Sequence, residues 1–527
     1  MKRTALTLLV TAGLFHCTGG PDNVAPPKPT RGDGGTIELP PPPPPPDNCD
    51  VTKLPTETPC VIHESVGVFV SLSKGRDDGL GTRESPLKDV SKAIEGAAPT
   101  GRRVYVCAET YEAPLKLADG ISVFGYFDCI GADWKVIEAR AKVAPREGVA
   151  ATAKGIVKPT RIEALDIVSA DGKGPGDSSI AFVAQDASGV SFVNTRIAAG
   201  KGRDGVDGKA AIQLFASGVL NGAPALREDN CNLDTTCPAQ HAVNRPGGKN
   251  TCTGAPGHDG GPGGDGGKTT EYRKRGARDG FGNCSLIVLS GVGQCFVPQG
   301  TAETGFPKTA TAMTAAGATM TAAAQPGAAG KDGIDGPNGV GVLSAEGYKA
   351  GDGTPGTDGE PGQGGGGGSS RGVDDAMNVT FAPYSWWGTS GGGGGAGGCP
   401  GLAGGAGTGG GASIAVLAVR SPMHFDAKSV VASTAAGRGG AGTNPSSATN
   451  GGSAGGNTVD NYPFVVGAAG GRGGGGGRSG SGASGPSFGI AWTGARPVVE
   501  TTPTVGPPAS PPAAGLPAGV VEPVHEF

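Results

Sequence analysis

Ser413-Ile414-Ala415-Val416-Leu417-Ala418 repeats the pattern of Ser179-Ile180-Ala181-Phe182-Val183-Ala184, and Ser487-Phe488-Gly489-Ile490-Ala491-Trp492 begins it a third time. After each of the first two copies a second apolar run ends in Ala-Ala-Gly: Val190 to Gly200, then Phe425 to Gly437. The ordered unit is therefore a pair of strands, used repeatedly, with long glycine-rich stretches between copies. A unit of this kind buries its apolar face only against its neighbours, which is the pattern of a stacked, all-β solenoid.

Glycine dominates what lies between. With 102 Gly and 44 Pro in 527 residues, the two make up about 28% of the chain, a level that without a fixed period accompanies low complexity. Short Gly-X-Y runs occur at Gly254 to Gly266, Gly327 to Gly339 and Gly353 to Gly362. A collagen triple helix needs that period sustained much further and in three chains. The runs either pack as polyproline-II-like hairpins or stay mobile, and the sequence leaves both open. They are read here as inserted loops.

Lys2 and Arg3, the apolar stretch Thr4 to Phe15 and then Cys17 read as an export signal. The apolar stretch is too short to span a bilayer. Cys17 resembles the acylated cysteine of a lipobox, with Leu14 in place and His16 where a small residue is usual. Thr18 lacks the acidic residue that would hold such a protein at the inner membrane. The expected location is the outer membrane, exported and at the cell surface. Residues 18–48 read as a Pro-rich tether ending in Pro40 to Pro46, a polyproline II spacer of about 22 Å.

Ten further cysteines in an exported chain imply disulfides. Cys107 and Cys129 each follow a strand-like run, about one turn of a stacked coil apart, and are expected to pair. Cys49 and Cys60 would staple the start of the domain. Cys231, Cys237, Cys252, Cys284, Cys295 and Cys399 lie in or beside the inserts, and their connectivity is not readable from sequence.

The remaining organisation follows. Residues 49–200 hold N-terminal strands and residues 201–411 the glycine-rich, Cys-containing inserts. Residues 412–496 return to strands with another insert, and 497–527, rich in Pro and Ala, read as a disordered tail. Ser85 as N-cap and Pro86 at the first position open a helix whose apolar face is Leu87, Val90 and Ile94.

From Val68 to Asp128 the chain resembles the opening of right-handed parallel β-helices of the pectin-lyase-like superfamily. The resemblance rests on Val68-Phe69-Val70-Ser71, Gly79-Leu80-Gly81-Thr82, and Ser85-Pro86 with its helix to Ala97. It continues through Val104-Tyr105-Val106, Thr110-Tyr111 and Ile121 to Asp128. The whole chain is similar to glycine-rich surface lipoproteins of myxobacteria. The resemblance implies a right-handed parallel β-helix with an N-terminal capping helix and long glycine-rich inserted loops. It says little of function, since that fold carries lyases, hydrolases, adhesins and inert scaffolds.

Net charge is −4 and charged residues are 17%, so no basic stripe exists to displace counterions from nucleic acid. Gly200 to Gly205 and Gly437 to Gly442 match G-x-G-x-x-G, but no helix signal follows either one. Gly260 to Gly267 shares only glycines and Asp265 with a calcium-binding nonapeptide. The six histidines show no ligand spacing. No cofactor and no metal are expected.

Asp166, Asp177 and Asp186 are the weak catalytic candidates. Asp166 and Asp186, some 20 residues apart, would stack on successive coils as a glycosidase-type pair if the coil had that length. The competing role is that of turn residues bonding local backbone. Tyr384, Trp386 and Trp387 form the densest aromatic stretch, either a stacking platform for sugar rings or an anchor pinning an insert. The sequence thus points to a non-enzymatic surface lipoprotein, structural or adhesive, held to the outer membrane by lipid. Envelope polysaccharide is the candidate partner. The alternatives are an exported polysaccharide lyase or hydrolase, or a glycan-binding module without turnover.

Overall fold

The computed structural model describes residues 39–130, 133–225, 245–267, 323–369, 390–456 and 465–527. Ala318 and short backbone segments at 230–231, 271–273, 285–289, 292–296 and 385–387 complete it. Among these residues the molecule is mostly β, with a single α-helix, Val90–Ala97. Asp89 caps that helix, its carboxylate accepting the Lys92 N–H at 2.9 Å. The cap is thus four residues beyond the expected Ser85. The Leu87 N–H donates to Phe69 O and the Leu87 carbonyl accepts from Ser71 N–H, which keeps this stretch extended.

Parallel strands build three sheets, and the chain visits them in rotation. One contains Gly67–Val70, Arg103–Cys107, Val123–Asp128, Thr160–Glu163, Val190–Val193, His424–Phe425 and Val498–Val499, in spatial order. A second runs Thr110–Tyr111, Ala141–Val143, Leu165–Val168, Arg196–Ala198, Val430–Ala432. The third runs Leu115–Lys116, Ala151–Lys154, Ser179–Gln185, Ser413–Val419, Ser487–Thr493, Val521–Glu526. The three echoing segments are immediate neighbours in it, with Ser179, Ser413 and Ser487 in one register row and Phe182, Val416 and Ile490 in another.

The space between the sheets is filled by side chains one face of each strand supplies, since alternate residues point to opposite faces. Phe182, Phe192, Val416, Ile490 and Ile197 are fully buried there. Phe192 stacks on Phe425 of the next pass at 4.7 Å between ring centroids. A second apolar cluster sits on the outer face of the first sheet, made of Phe69, Tyr105, Phe124, Tyr126, Phe127 and Trp134. The Tyr105 hydroxyl donates to Val61 O at 2.7 Å, fastening the leading segment over it.

Between the second and third sheets the chain makes two long departures, residues 199–412 and 433–486. Each is closed at its neck by a serine. The Ser413 hydroxyl donates to Gly200 O at 2.8 Å, and that of Ser487 to Thr434 O at 2.7 Å. Ser179 makes the same bond to Ala170 O where the chain does not depart. The sheets therefore continue in register as though nothing had been inserted.

The described parts of these departures are not loops. Residues 200–213, 325–341, 350–369, 390–411, 436–456 and 465–486 run side by side as extended segments, each pair of neighbours joined by backbone hydrogen bonds at every third residue. Gly327, Gly330, Gly333, Gly336 and Gly339 donate in turn to Ala469, Arg472, Gly475, Arg478 and Ser481, at 2.7–2.9 Å. Gly359, Gly362, Gly365 and Gly368 donate to Gly401, Gly398, Gly395 and Gly392, so this neighbour is antiparallel. A three-residue period without internal hydrogen bonds is that of the polyproline II conformation. A Cβ added at Gly205 would overlap Thr408 O, and one at Gly394 would overlap Gly365 O. Glycine is required there by close approach of chains, because none of these glycines has a positive φ. The glycine-rich loops expected from composition are thus a packed body, and residues 391–400 are buried throughout.

Two further expectations change. Residues 497–527 are not a disordered tail: Val498–Val499 and Val521–Glu526 extend the first and third sheets. Nor does the proline run stand free, because Leu39 packs against the main core and Cys49 is bonded to Cys60. Pro40 to Pro46 lie between those two fixed points.

Candidate functional site

The catalytic candidates do not converge. Asp166 lies within its strand with Lys142 and Arg196 as register neighbours on either side, and its carboxylate is 3.5 Å from the Arg140 guanidinium. One pass of the chain here is thus the 30 residues from Asp166 to Arg196. A 20-residue spacing therefore places Asp186 just past the end of Ser179–Gln185 in another sheet rather than above Asp166. Asp186 occupies a left-handed corner (φ 53°) and makes a two-pronged ion pair with Arg420, at 2.6 and 2.8 Å, in the matching corner one pass later. Hydrogen bonding to Arg420 holds the Asp186 carboxyl below its usual range. Asp177 folds back to accept the Gly174 N–H at 2.7 Å, the turn role of aspartate.

Most acidic and amide side chains in the glycine body share one task. In a recurring Asx-Gly pair the side-chain oxygen accepts one backbone N–H of the adjacent segment while the glycine N–H donates to a carbonyl beside it. Asp335 accepts from the Arg478 N–H at 2.6 Å and Gly336 donates to Arg478 O at 2.8 Å. The same grip joins Asp204-Gly205 to Arg438, Asp207-Gly208 to Ala441, Asp332-Gly333 to Gly475 and Asn338-Gly339 to Ser481. Where neighbours are antiparallel the two partners are two residues apart. Asp352-Gly353 grips Gly409 N–H and Gly407 O, and Asp358-Gly359 grips Ala403 N–H and Gly401 O. The bond from Ala441 N–H, and then Arg438, holds the Asp207 carboxyl below its ordinary range. Each carboxylate of this set thus has one oxygen committed to the backbone of the next segment.

The glycine signatures find the same explanation. Gly200 to Gly205 lies beside the chain reaching Gly437 to Gly442, with Gly202 donating to Ala435 O and Gly205 to Arg438 O. Among the described residues no helix follows either stretch. Asp265 accepts the Gly247 N–H at 2.8 Å, again as a grip, with Gly266 donating to Arg245 O. Among the described residues no cluster of His, Cys, Asp and Glu has the makings of a metal site.

Among the described residues three disulfides are present. Cys49 joins Cys60 and Cys107 joins Cys129, with Cα atoms 5.9 and 5.7 Å apart. Cys252 joins Cys399 at 5.7 Å, and the pair packs with Leu214 and Leu402 in a small apolar cluster of the glycine body. Cys17, Cys237, Cys284 and Tyr384 lie outside the described residues. Cys231, Cys295, Trp386 and Trp387 fall on backbone segments, where Ser385–Trp387 pairs with Asn230–Cys231 and Glu271–Arg273.

Sequence reasoning missed one concavity. Where the glycine body meets the C-terminal strands, an apolar groove of about 680 Å³ is lined by Val340, Leu343, Tyr348, Phe488, Leu516 and His525, among others. Burial pushes the Tyr348 phenol up to about 12. The His525 ring lies flat on Phe488, centroids 4.2 Å apart, and its Nδ1 is 3.0 Å from a Glu522 oxygen. Val340, Val342 and Val520, at the rim, are 80%, 56% and 51% exposed. The lining includes no Asp or Glu, so this groove offers contact area and a few polar tips rather than an acid–base pair. Its residues come from segments 180 positions apart, including one read as a disordered tail, which is why no local motif announces it. No family model matches the chain, and no curated protein and no solved structure matches it either.

Proposed function

We propose that this chain is a non-enzymatic surface protein, structural or adhesive, lipid-anchored to the outer membrane through Cys17. We read its three parallel sheets as the faces of a right-handed parallel β-helix of the pectin-lyase-like kind. The glycine body is then a stiff arm carried on that β-helix. One observation carries the reading: the acidic side chains that a polysaccharide-cleaving site would need are spent on backbone and ion-pair duties. Asp166, Asp177, Asp186 and the Asx-Gly grips all support a scaffold. The groove beside Tyr348 suits an apolar or ring-shaped contact, in keeping with adhesion to envelope polysaccharide or matrix.

Turnover tests the reading. The purified protein is incubated with neutral and acidic polysaccharides, including envelope material, and polymer length is followed by size exclusion. Unchanged length is expected, and co-elution of polymer with protein would mark a glycan-binding role. Reproducible shortening by homogeneous protein would replace this reading with an exported lyase or hydrolase. Anchoring has its own test: fatty-acid labelling of the expressed protein is expected to vanish in Cys17→Ser, and persistence of the label would reject the anchor.

A further inference from the structure

The chain contains the pair Asn-Gly at Asn221-Gly222, Asn338-Gly339 and Asn450-Gly451. Asn-Gly is chemically the least stable asparagine sequence, because glycine offers no side chain to shield its nitrogen. That nitrogen attacks the asparagine Cγ and a new C–N bond forms. The side-chain amide then leaves as ammonia. Water opens the resulting cyclic imide at either carbonyl, giving aspartate or isoaspartate, the latter with the backbone running through an extra methylene. Reaction requires a free glycine N–H and a side chain able to rotate over it.

Two of the three pairs are held away from that geometry. Asn338 Oδ1 accepts the Ser481 N–H at 2.9 Å while the Gly339 N–H donates to Ser481 O at 2.8 Å. Asn221 Oδ1 accepts the Ser453 N–H at 2.8 Å while the Gly222 N–H donates to Ser453 O at 3.0 Å. In both, the attacking nitrogen and the side chain under attack are fixed by the same neighbouring residue. Asn450 differs. It is exposed, and neither its side chain nor the Gly451 N–H is hydrogen-bonded to any described residue. Its flanks are fixed nonetheless, with Thr449 N–H on Cys399 O at 2.9 Å and Gly452 N–H on Ala396 O at 2.7 Å.

We propose that Asn450 is a site of spontaneous deamidation in the folded protein, and that Asn221 and Asn338 are protected by their Asx-Gly grips. Conversion at Asn450 adds one negative charge to an otherwise neutral stretch of the glycine body. Where isoaspartate forms, the added methylene falls between Thr449 and Gly452, inside a three-residue repeat bonded at both ends. The local pairing with residues 396–399 then loses its register. The site acts as a covalent record of the protein's age.

The test is a time course on the intact folded protein in mildly alkaline buffer made with heavy-oxygen water, read by peptide mass mapping. Heavy oxygen marks each conversion and separates it from changes during digestion. Asn450 is expected to convert with isoaspartate in the product. Asn221 and Asn338 should be slower by about tenfold or more, since two hydrogen bonds must open first. In urea the three sites should converge. Equal rates in the folded protein, faster loss at Asn338 or Asn221, or no conversion at Asn450 while the urea sample reacts would each overturn the proposal.

Discussion

The sheet stack and the glycine body solve the same problem with opposite materials. In the stack, side chains make the core: Phe182, Phe192, Phe425, Val416 and Ile490 fill the interior, and the backbone pairs at its edges. In the glycine body the backbone is the core. Residues 391–400 are buried with almost no side chain among them, and every N–H from Gly391 to Gly398 is bonded to a neighbouring carbonyl. The first gains from removing apolar area from water. The second gains from close contact between chains and from leaving no buried amide unpaired. The difference teaches that a glycine-rich composition excludes a side-chain core but not an ordered interior.

Substitutions that remove or add atoms separate the two regions. Phe192→Ala should be the most damaging, at about 3–5 kcal/mol, because it leaves a cavity between Phe182 and Phe425. Chemical denaturation would measure it, and a loss near zero would mean that the stack is loosely filled. Reducing Cys252–Cys399, or Cys252→Ser with Cys399→Ser, should cost about 2–4 kcal/mol by freeing a long loop in the unfolded chain. That loss should appear as lower protection of the glycine segments, with the Phe192 region unaffected.

Gly394→Ala is the converse probe, since the new Cβ meets the Gly365 carbonyl oxygen. A cost of about 1–3 kcal/mol is expected from overpacking, although alanine is the better residue in most ordinary structure. A neutral or stabilising result would break the comparison by showing that these chains do not touch. Asp335→Ala removes one half of a grip and should cost about 0.5–1.5 kcal/mol. Asp335→Asn keeps the oxygen and should restore most of it.

The smallest effect is electrostatic and belongs to the stack. Arg420 lowers the Asp186 carboxyl in the folded state, so the pair stabilises the protein above the ordinary aspartate value. That contribution fades as pH falls through the lowered folded value. Asp186→Asn should flatten the acid side of the stability profile slightly, as expected for an exposed pair. A change on the alkaline side would assign the effect to another group.

Part of this organisation is legible in the residues. The echo of Ser179, Ser413 and Ser487 marks strands that are register neighbours although hundreds of residues separate the first two. Apolar alternation survives any insertion, because it is set by the face each strand must bury. The glycine body is harder to see. Its period of three is unbroken only over short stretches, such as Gly327 to Gly339, and gains its meaning from pairing between segments. The available signal is the recurrence of Asx before glycine, as in Asp332-Gly333, Asp335-Gly336 and Asn338-Gly339, one triplet apart. The coil length misled the carboxylate pairing, since Asp166 is followed one pass later by Arg196. The aromatic cluster was illegible for a simpler reason: its members are scattered from Phe69 to Trp134, while the dense run of sequence lies at 381–387. The C-terminal strands were hidden by composition. Pro and Ala between Pro497 and Ala518 outweigh Val521 to Glu526, whose pairing is supplied by Ser487–Thr493 rather than by local propensity.

Backbone amide exchange resolved to single residues over 390–411 tests the central claim most directly. An ordered body predicts slow exchange along nearly the whole stretch: every N–H from Gly391 to Gly398 donates to a neighbouring carbonyl, with Gly392, Gly395 and Gly398 bonded to Val465, Ala468 and Gly471 and the residues between them to other neighbours. Exchange of these amides at the rate of an unstructured glycine peptide would contradict it, and would return the glycine segments to mobile loops.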